Sequence, residues 1–138
     1  MAGPAKAGPQ GITNPADLQS TVPSITTHVL DTSIGRPAAG VRVVLERGGQ
    51  SSAWQLVGHG ETDADGRLRS LMEDAAVVEP GVYRLVFDSR AYFETRGVRS
   101  FYPSIVVTFE VHEPADAGAH YHVPLLLSPF GYTTYRGS

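Results

Sequence analysis

Residues 24 to 138 repeat one pattern, in which short segments of alternating apolar and polar residues are separated by turns rich in glycine, proline and aspartate. Alternation with a period of two places every second side chain on the same face of a strand. The segments from Ser24 to Asp31 and from Ser104 to His112 show this alternation most clearly. Many short strands with frequent turn signals are typical of a β-sandwich or barrel. The sequence therefore predicts an all-β domain.

The same pattern predicts eight strands and one short helix. The helix is expected to begin at Ser89, as its N-cap, and to run through Arg96, with Gly97 ending it. Ile34 to Pro37 is expected to be a turn. The predicted strands are Ser24–Asp31, Val41–Glu46, Ala53–His59, Arg67–Leu71, Gly81–Asp88, Ser104–His112, His120–Leu127 and Tyr132–Tyr135.

The first 23 residues differ from the rest of the chain in composition. They are rich in proline and glycine and have no apolar periodicity, which predicts a disordered N-terminal arm. A targeting presequence is the alternative, but the segment lacks the arginine-rich amphipathic pattern of an organelle address. We therefore expect one folded domain over residues 24–138.

Composition excludes several classes of protein. The chain has 138 residues and no cysteine, which fits one domain without disulfides or thiolate metal sites. A net charge of −3 gives no electrostatic reason to expect nucleic acid as a partner. No apolar run approaches the roughly 18 residues that span a bilayer, and the N-terminus lacks an apolar signal core. These features favour a cytoplasmic protein with no nucleic-acid or membrane partner.

Strand alternation sorts the histidines onto one face. Val29 and Val123 fit the core side of their strands, so His28, His120 and His122 are expected to point outward. If the first and the seventh predicted strands are neighbours, three imidazoles gather in one patch.

Three interpretations of this patch compete. The first is ordinary solvated histidines. The second is a zinc site with an open position, which three histidines can provide, although no carboxylate on that face is an obvious partner for the ligands. The third is general acid–base chemistry, for which the pKa of histidine is suited.

Arg67 and the last four residues are further candidates. Arg67 follows the Asp65-Gly66 turn, where a guanidinium can bind a carbonyl or anionic oxygen at two points, although a solvated charge is the simpler reading. The segment Tyr135-Arg136-Gly137-Ser138 is aromatic and polar and follows a predicted hairpin, so we expect it to be held in place near the histidines. An ion pair between Arg136 and the Ser138 carboxylate is the alternative.

The segment Asp63-Ala64-Asp65-Gly66 is similar to the start of a calcium-binding loop. Such a loop also needs a glutamate some six residues after the glycine and a helix on each side. Position 72 is Met72 and the flanking residues favour strands, so an ordinary aspartate-glycine turn is the favoured interpretation.

Two motifs carry a resemblance to a known family. The segments Ile25 to Thr32 and Gly35 to Ala38 resemble the opening signature of the transthyretin family. The segment His120 to Pro129, with the terminal Tyr-Arg-Gly-Ser, resembles the branch of that family whose members hydrolyse 5-hydroxyisourate. The resemblance covers about residues 24–138.

The resemblance implies a fold, an assembly and a reaction. The fold would be a sandwich of two four-stranded sheets with one short helix, assembled as a homotetramer with a channel between its dimers. The reaction would open the ring of 5-hydroxyisourate without a cofactor or metal, as a step of urate degradation. It implies catalytic roles for His28, Arg67, His122 and Ser138. Substrate would also contact His120 and the segment Tyr135, Arg136, Gly137.

A non-catalytic carrier of small aromatic ligands in the same channel is the alternative function. A carrier has no need of the polar set His28, Arg67, His122 and the Tyr-Arg-Gly-Ser end, so the sequence favours the hydrolase.

Overall fold

The computed structural model describes residues 24–48, 53–72, 78–112 and 120–138, and the predicted N-terminal arm lies outside them. The described residues form nine strands and one helix. In chain order they are β1 (Ser24–Asp31), β2 (Arg36–Pro37), β3 (Arg42–Gly48), β4 (Trp54–Glu61), β5 (Arg67–Leu68), β6 (Gly81–Phe87), α1 (Ser89–Glu94), β7 (Ile105–Val111), β8 (His120–Ser128) and β9 (Gly131–Thr134). No helix among these residues is long and apolar enough to cross a membrane.

The strands form two sheets, which confirms the predicted β-sandwich. The first sheet has the order β2-β1-β8-β9, and β5 pairs with β1 beside β2. The second sheet has the order β4-β3-β6-β7. The first sheet has five strands where four were expected, because Arg36 and Pro37 pair with the end of β1 instead of only completing a turn. A proline can occupy such a position because β2 is an edge strand.

The core lies between the sheets and follows from the alternation. In β1 the buried residues are Ile25, Thr27, Val29 and Asp31, and the residues between them are half-exposed. Burying one Val or Leu side chain contributes about 1.5–3 kcal/mol. The inward faces of both sheets supply most of the core, with Val43, Leu45, Leu85, Phe87, Ile105, Val107, Val123, Leu125 and Leu127 among its members.

The predicted N-cap of helix α1 is wrong. Asp88, not Ser89, is the N-cap, because its carboxylate Oδ1 accepts the backbone N–H of Ala91 at 3.2 Å. The Ser89 hydroxyl instead donates to the Tyr102 carbonyl at 3.2 Å. The helix ends at Glu94, earlier than predicted, and Gly97 closes the following turn with a φ of 70°, a backbone conformation that favours glycine.

The central strand of the first sheet is β1, which runs parallel to β8 along its full length. Thr27 reinforces this pairing from the core side, since its hydroxyl donates to the Val123 carbonyl at 2.7 Å. The strand that was predicted as the seventh is therefore the neighbour of the first. This adjacency was the condition for the histidine patch.

Candidate active site

The outer face of the first sheet brings three candidate side chains into two neighbouring rows. His28 of β1 is paired with Arg67 of β5 on one side and with Pro124 of β8 on the other. One row along β1, Thr26 is paired with His122. Paired residues point to the same face of a sheet, so His28, Arg67 and His122 share the outer face, as expected for the two histidines.

His120 lies further along the same face. It is paired with Ser24, and its Nδ1 is 2.8 Å from the Ser24 hydroxyl oxygen. Ser24 and His28 are four positions apart in β1, which corresponds to about 13 Å along a strand. The face therefore spreads the three histidines over several rows. No three His, Cys, Asp or Glu side chains among the described residues are grouped closely enough to hold a metal ion.

His122 is held on two sides and is half-buried. Its Nδ1 lies 2.8 Å from the Thr26 hydroxyl oxygen, and its backbone carbonyl accepts the N–H of Gly137 at 2.8 Å. Burial lowers the pKa of His122, and the nearby charges of Arg67, His28 and Arg69 lower it further. At neutral pH the imidazole is therefore neutral and able to accept a proton.

His28 has a defined tautomer. Its Nε2 lies 2.9 Å from the backbone carbonyl oxygen of Asp65. A carbonyl oxygen only accepts hydrogen bonds, so Nε2 carries the proton and donates it. In the neutral ring Nδ1 then keeps a lone pair and is the basic nitrogen.

Arg67 is half-buried beside His28, and none of the ion pairs between the described residues includes it. A guanidinium offers five N–H donors in a fixed plane. Its side chain is therefore available to bind a carbonyl oxygen or an anion on this face.

The last residues dock against His122 through Gly137. A Cβ atom at position 137 would lie 2.7 Å from His122 Cδ2 and 3.1 Å from Pro124 Cγ, so only glycine approaches the imidazole this closely. Arg136 lies with its guanidinium 5.2 Å from the centre of the Tyr121 ring, and no ion pair between described residues includes it. Tyr135 and Ser138 are exposed.

Two features of the site were not found from the sequence. The contact of Thr26 with His122 depends on the register between β1 and β8. The Asp63–Gly66 turn was identified as a turn, and Asp63 Oδ1 accepts the N–H groups of Asp65 and Arg67, as an aspartate-glycine turn requires. Nothing in the sequence indicates that the Asp65 carbonyl of this turn contacts His28.

The candidate site lies on an open sheet face. A cavity of about 230 Å³ is lined by residues of β7, β8 and the chain end, among them Phe109, Tyr121, His122 and Tyr135. It does not reach His28 or Arg67. The groups that can perform chemistry lie together in the rows of the outer face.

Comparisons with known proteins identify the family to which the chain is similar. The sequence profile of the HIUase/transthyretin family matches residues 25–137. A probable 5-hydroxyisourate hydrolase of Schizosaccharomyces pombe is 44% identical over 127 residues, which cover 91% of this chain and 98% of that protein.

Two solved structures resemble the fold. The 5-hydroxyisourate hydrolase of Klebsiella pneumoniae has a TM-score of 0.70 and 35% identity, covering 83% of this chain and 99% of the other. Sea bream transthyretin in complex with thyroxine has a TM-score of 0.75 and 32% identity, covering 83% and 94%. A fold shared by an enzyme and a thyroxine-binding protein does not by itself decide function, which depends on the residues of the site.

Proposed function

The chain belongs to the HIUase/transthyretin family, and we propose that it hydrolyses 5-hydroxyisourate to 2-oxo-4-hydroxy-4-carboxy-5-ureidoimidazoline in urate degradation. Relatives named for this hydrolase, such as the one in Schizosaccharomyces pombe, match nearly the whole chain. The observation that carries the proposal is that His122 and His28 share one sheet face with Arg67, which forms no ion pair with a described residue.

The proposed reaction needs a base, an oxyanion partner and an acid. One of the two imidazoles accepts a proton from water, whose oxygen attacks a ring carbonyl carbon of the substrate. Arg67 donates to the carbonyl oxygen as negative charge develops there. The ring C–N bond then breaks, and the leaving nitrogen takes a proton from an imidazolium. Water and substrate are the only reactants, so the balance requires no cofactor.

The basic nitrogens of His28 and His122 support the proposed proton transfers. His122 has a lowered pKa, which keeps the proton-accepting form populated at neutral pH. His28 donates from Nε2 to Asp65, which leaves Nδ1 as its acceptor. Both imidazoles can therefore take part in moving a proton. They lie in adjacent rows, His122 in the row where it is paired with Thr26 and His28 in the row where it is paired with Arg67.

The chain end completes the proposed pocket. The N–H of Gly137 donates a hydrogen bond to the His122 carbonyl. This contact supports a place for the neighbouring Tyr135, Arg136 and Ser138 at the rim of the proposed pocket. In this proposal Ser138 adds hydrogen bonds to the substrate and His120 lies at the outer limit of the binding surface.

We further propose a homotetramer in which a second dimer covers this face and forms a channel. Two features support it. The candidate residues lie on an open face instead of in a closed cavity, and β7 and β9 are edge strands among the described residues. An edge strand presents unpaired backbone groups that can pair with another chain. The cytoplasmic location predicted from the sequence stays a prediction.

The decisive experiment follows the ultraviolet absorbance of freshly generated 5-hydroxyisourate with and without the protein. We expect decay that accelerates in proportion to protein concentration. Decay at the spontaneous rate, together with tight binding of the substrate, would support the carrier function instead. Activity that disappears with a strong chelator and returns with zinc would support the zinc hydrolase.

A further inference from the structure

The turn that resembles the start of a calcium loop is clamped against the candidate site. Gly66 has a φ of 76°, and its carbonyl accepts the N–H of Val29 at 2.8 Å. A Cβ at Gly66 would lie 2.3 Å from the Val29 carbonyl oxygen, so the turn sits directly on β1. Val29 follows His28 in the chain. Small changes in this turn are therefore transmitted to the strand that carries the imidazole.

One carboxylate oxygen organises the turn from within. Asp63 Oδ1 accepts the N–H of Asp65 at 2.9 Å and the N–H of Arg67 at 3.0 Å. Asp65 is the residue whose carbonyl accepts from His28, and Arg67 is the residue whose guanidinium shares the outer face with His28. The exposed carboxylate of Asp63 thus contacts the backbone of both residues through one oxygen atom. The Asp63 backbone adds two hydrogen bonds of 2.9 Å, from its N–H to the Arg67 carbonyl and from the Gly66 N–H to its carbonyl.

These contacts have a consequence for protonation. Which ring nitrogen of a neutral histidine carries the proton is set by the hydrogen bond that the ring makes. The Asp65 carbonyl selects the Nε2–H tautomer of His28 only while it stays at its present position. The hydrogen bond from the Asp65 N–H to Asp63 Oδ1 is one of the contacts that hold this position, together with the bond from the Gly66 N–H to the Asp63 carbonyl.

We propose that Asp63 is a positioning residue that fixes the tautomer of His28 and the place of Arg67 through its two backbone contacts. The proposal deepens the hydrolase function and rests on it, because the two positioned groups are the ones assigned to that reaction. The lowered pKa of Asp63, caused first by the hydrogen bond from the Arg67 N–H, keeps the carboxylate ionised and accepting.

The test compares Asp63→Ala with Asp63→Asn in the full chain. The amide oxygen of asparagine can still accept both N–H groups, whereas alanine cannot. NMR of the ¹⁵N-labelled histidine rings reports the tautomer of His28 directly, and the decay of 5-hydroxyisourate reports kcat/KM. Glu61→Ala is the matched control, because it removes an exposed carboxylate that forms only a 3.8 Å pair with Arg42.

We expect Asp63→Ala to show a mixture of His28 tautomers and a kcat/KM about tenfold lower, the scale of a misplaced catalytic group. Asp63→Asn should keep the Nε2–H tautomer and stay within about threefold of the parent, and Glu61→Ala should match the parent. An unchanged tautomer in Asp63→Ala would overturn the proposal, as would an asparagine variant as impaired as the alanine variant. A parent protein with no hydrolase activity would refute the proposed function, while the ring NMR would still decide whether Asp63 sets the tautomer.

Discussion

The outer faces of the two sheets each carry a half-buried arginine, and the two arginines are in opposite situations. On the second sheet, Arg84 Nε donates to Glu46 Oε1 at 2.7 Å, and its guanidinium lies 4.1 Å from the centre of the Trp54 ring. On the first sheet, Arg67 forms no ion pair with any described residue. The donors of Arg84 are used within the protein, and those of Arg67 are available to a ligand. The comparison contrasts a charge that is used within the protein with one that we propose to bind substrate.

The largest effect should come from His122→Ala. If neutral His122 moves the proton, kcat/KM should fall about 100-fold or more, the usual scale of lost acid–base catalysis. The melting temperature should change little, because the side chain points outward. Substrate decay and thermal unfolding measure the two quantities. Activity near that of the parent would remove His122 from the mechanism, and loss of the folded state would show that it serves the structure.

Arg67→Lys tests whether the two arginines differ in function. Lysine keeps the positive charge but loses the planar pair of donors, so we expect kcat/KM to fall by roughly tenfold or more, in the range of a lost oxyanion partner. The matched control is Arg84→Lys, which should leave kcat/KM unchanged and destabilise the fold by about 1 kcal/mol through its ion pair and ring contact. If both variants lost activity equally, the distinction between the two faces would fail.

Gly137→Ala tests whether the chain end belongs to the site. The new methyl group would meet the His122 ring at 2.7 Å and must displace the imidazole or the terminal segment. We expect kcat/KM about tenfold lower with little change in melting temperature. Gly131→Ala is the control, because its Cβ meets only the Ser128 hydroxyl at 3.7 Å, an ordinary contact. Equal activities of the two alanine variants would mean that the end packs without shaping the site.

The smallest effect concerns the long-range charge of Arg69. This exposed residue lowers the pKa of His122, so Arg69→Gln should raise it. Because the base must be neutral, the acid limb of the kcat/KM profile should move to higher pH. The shift should shrink at high salt, which screens charges at the surface. An acid limb that stays in place at low salt would show that another group controls it.

The sequence predicted the faces of the strands but not which strands are neighbours. Alternation placed His28 and His122 outward because it depends only on the pleat of each strand. The parallel register that pairs Thr26 with His122 arises from the packing of the whole first sheet, so no local pattern reports it. The same holds for the contact between Gly137 and His122.

Predictions from local sequence failed where one segment fits two structures or where two residues fit one role. Arg36 and Pro37 carry turn signals and also form β2, because an edge position tolerates the missing proline N–H. Asp88 and Ser89 can both cap a helix, and Asp88 takes the role while the Ser89 hydroxyl bonds to Tyr102. The contact of Asp65 with His28 uses a backbone carbonyl, which every residue type supplies.

The parallel pairing of β1 with β8 also bears on how the protein is made. The hydrogen-bonded pair Thr26 and His122 are 96 positions apart in the chain. Contacts between such distant residues close late in folding, because the intervening chain must first lose its freedom. During synthesis β1 leaves the ribosome early. The edge of β1 that pairs with β8 stays unpaired until nearly all the other strands have been made. A nascent chain that stalls before β8 contains His28 and Arg67 but lacks the strand that carries His122.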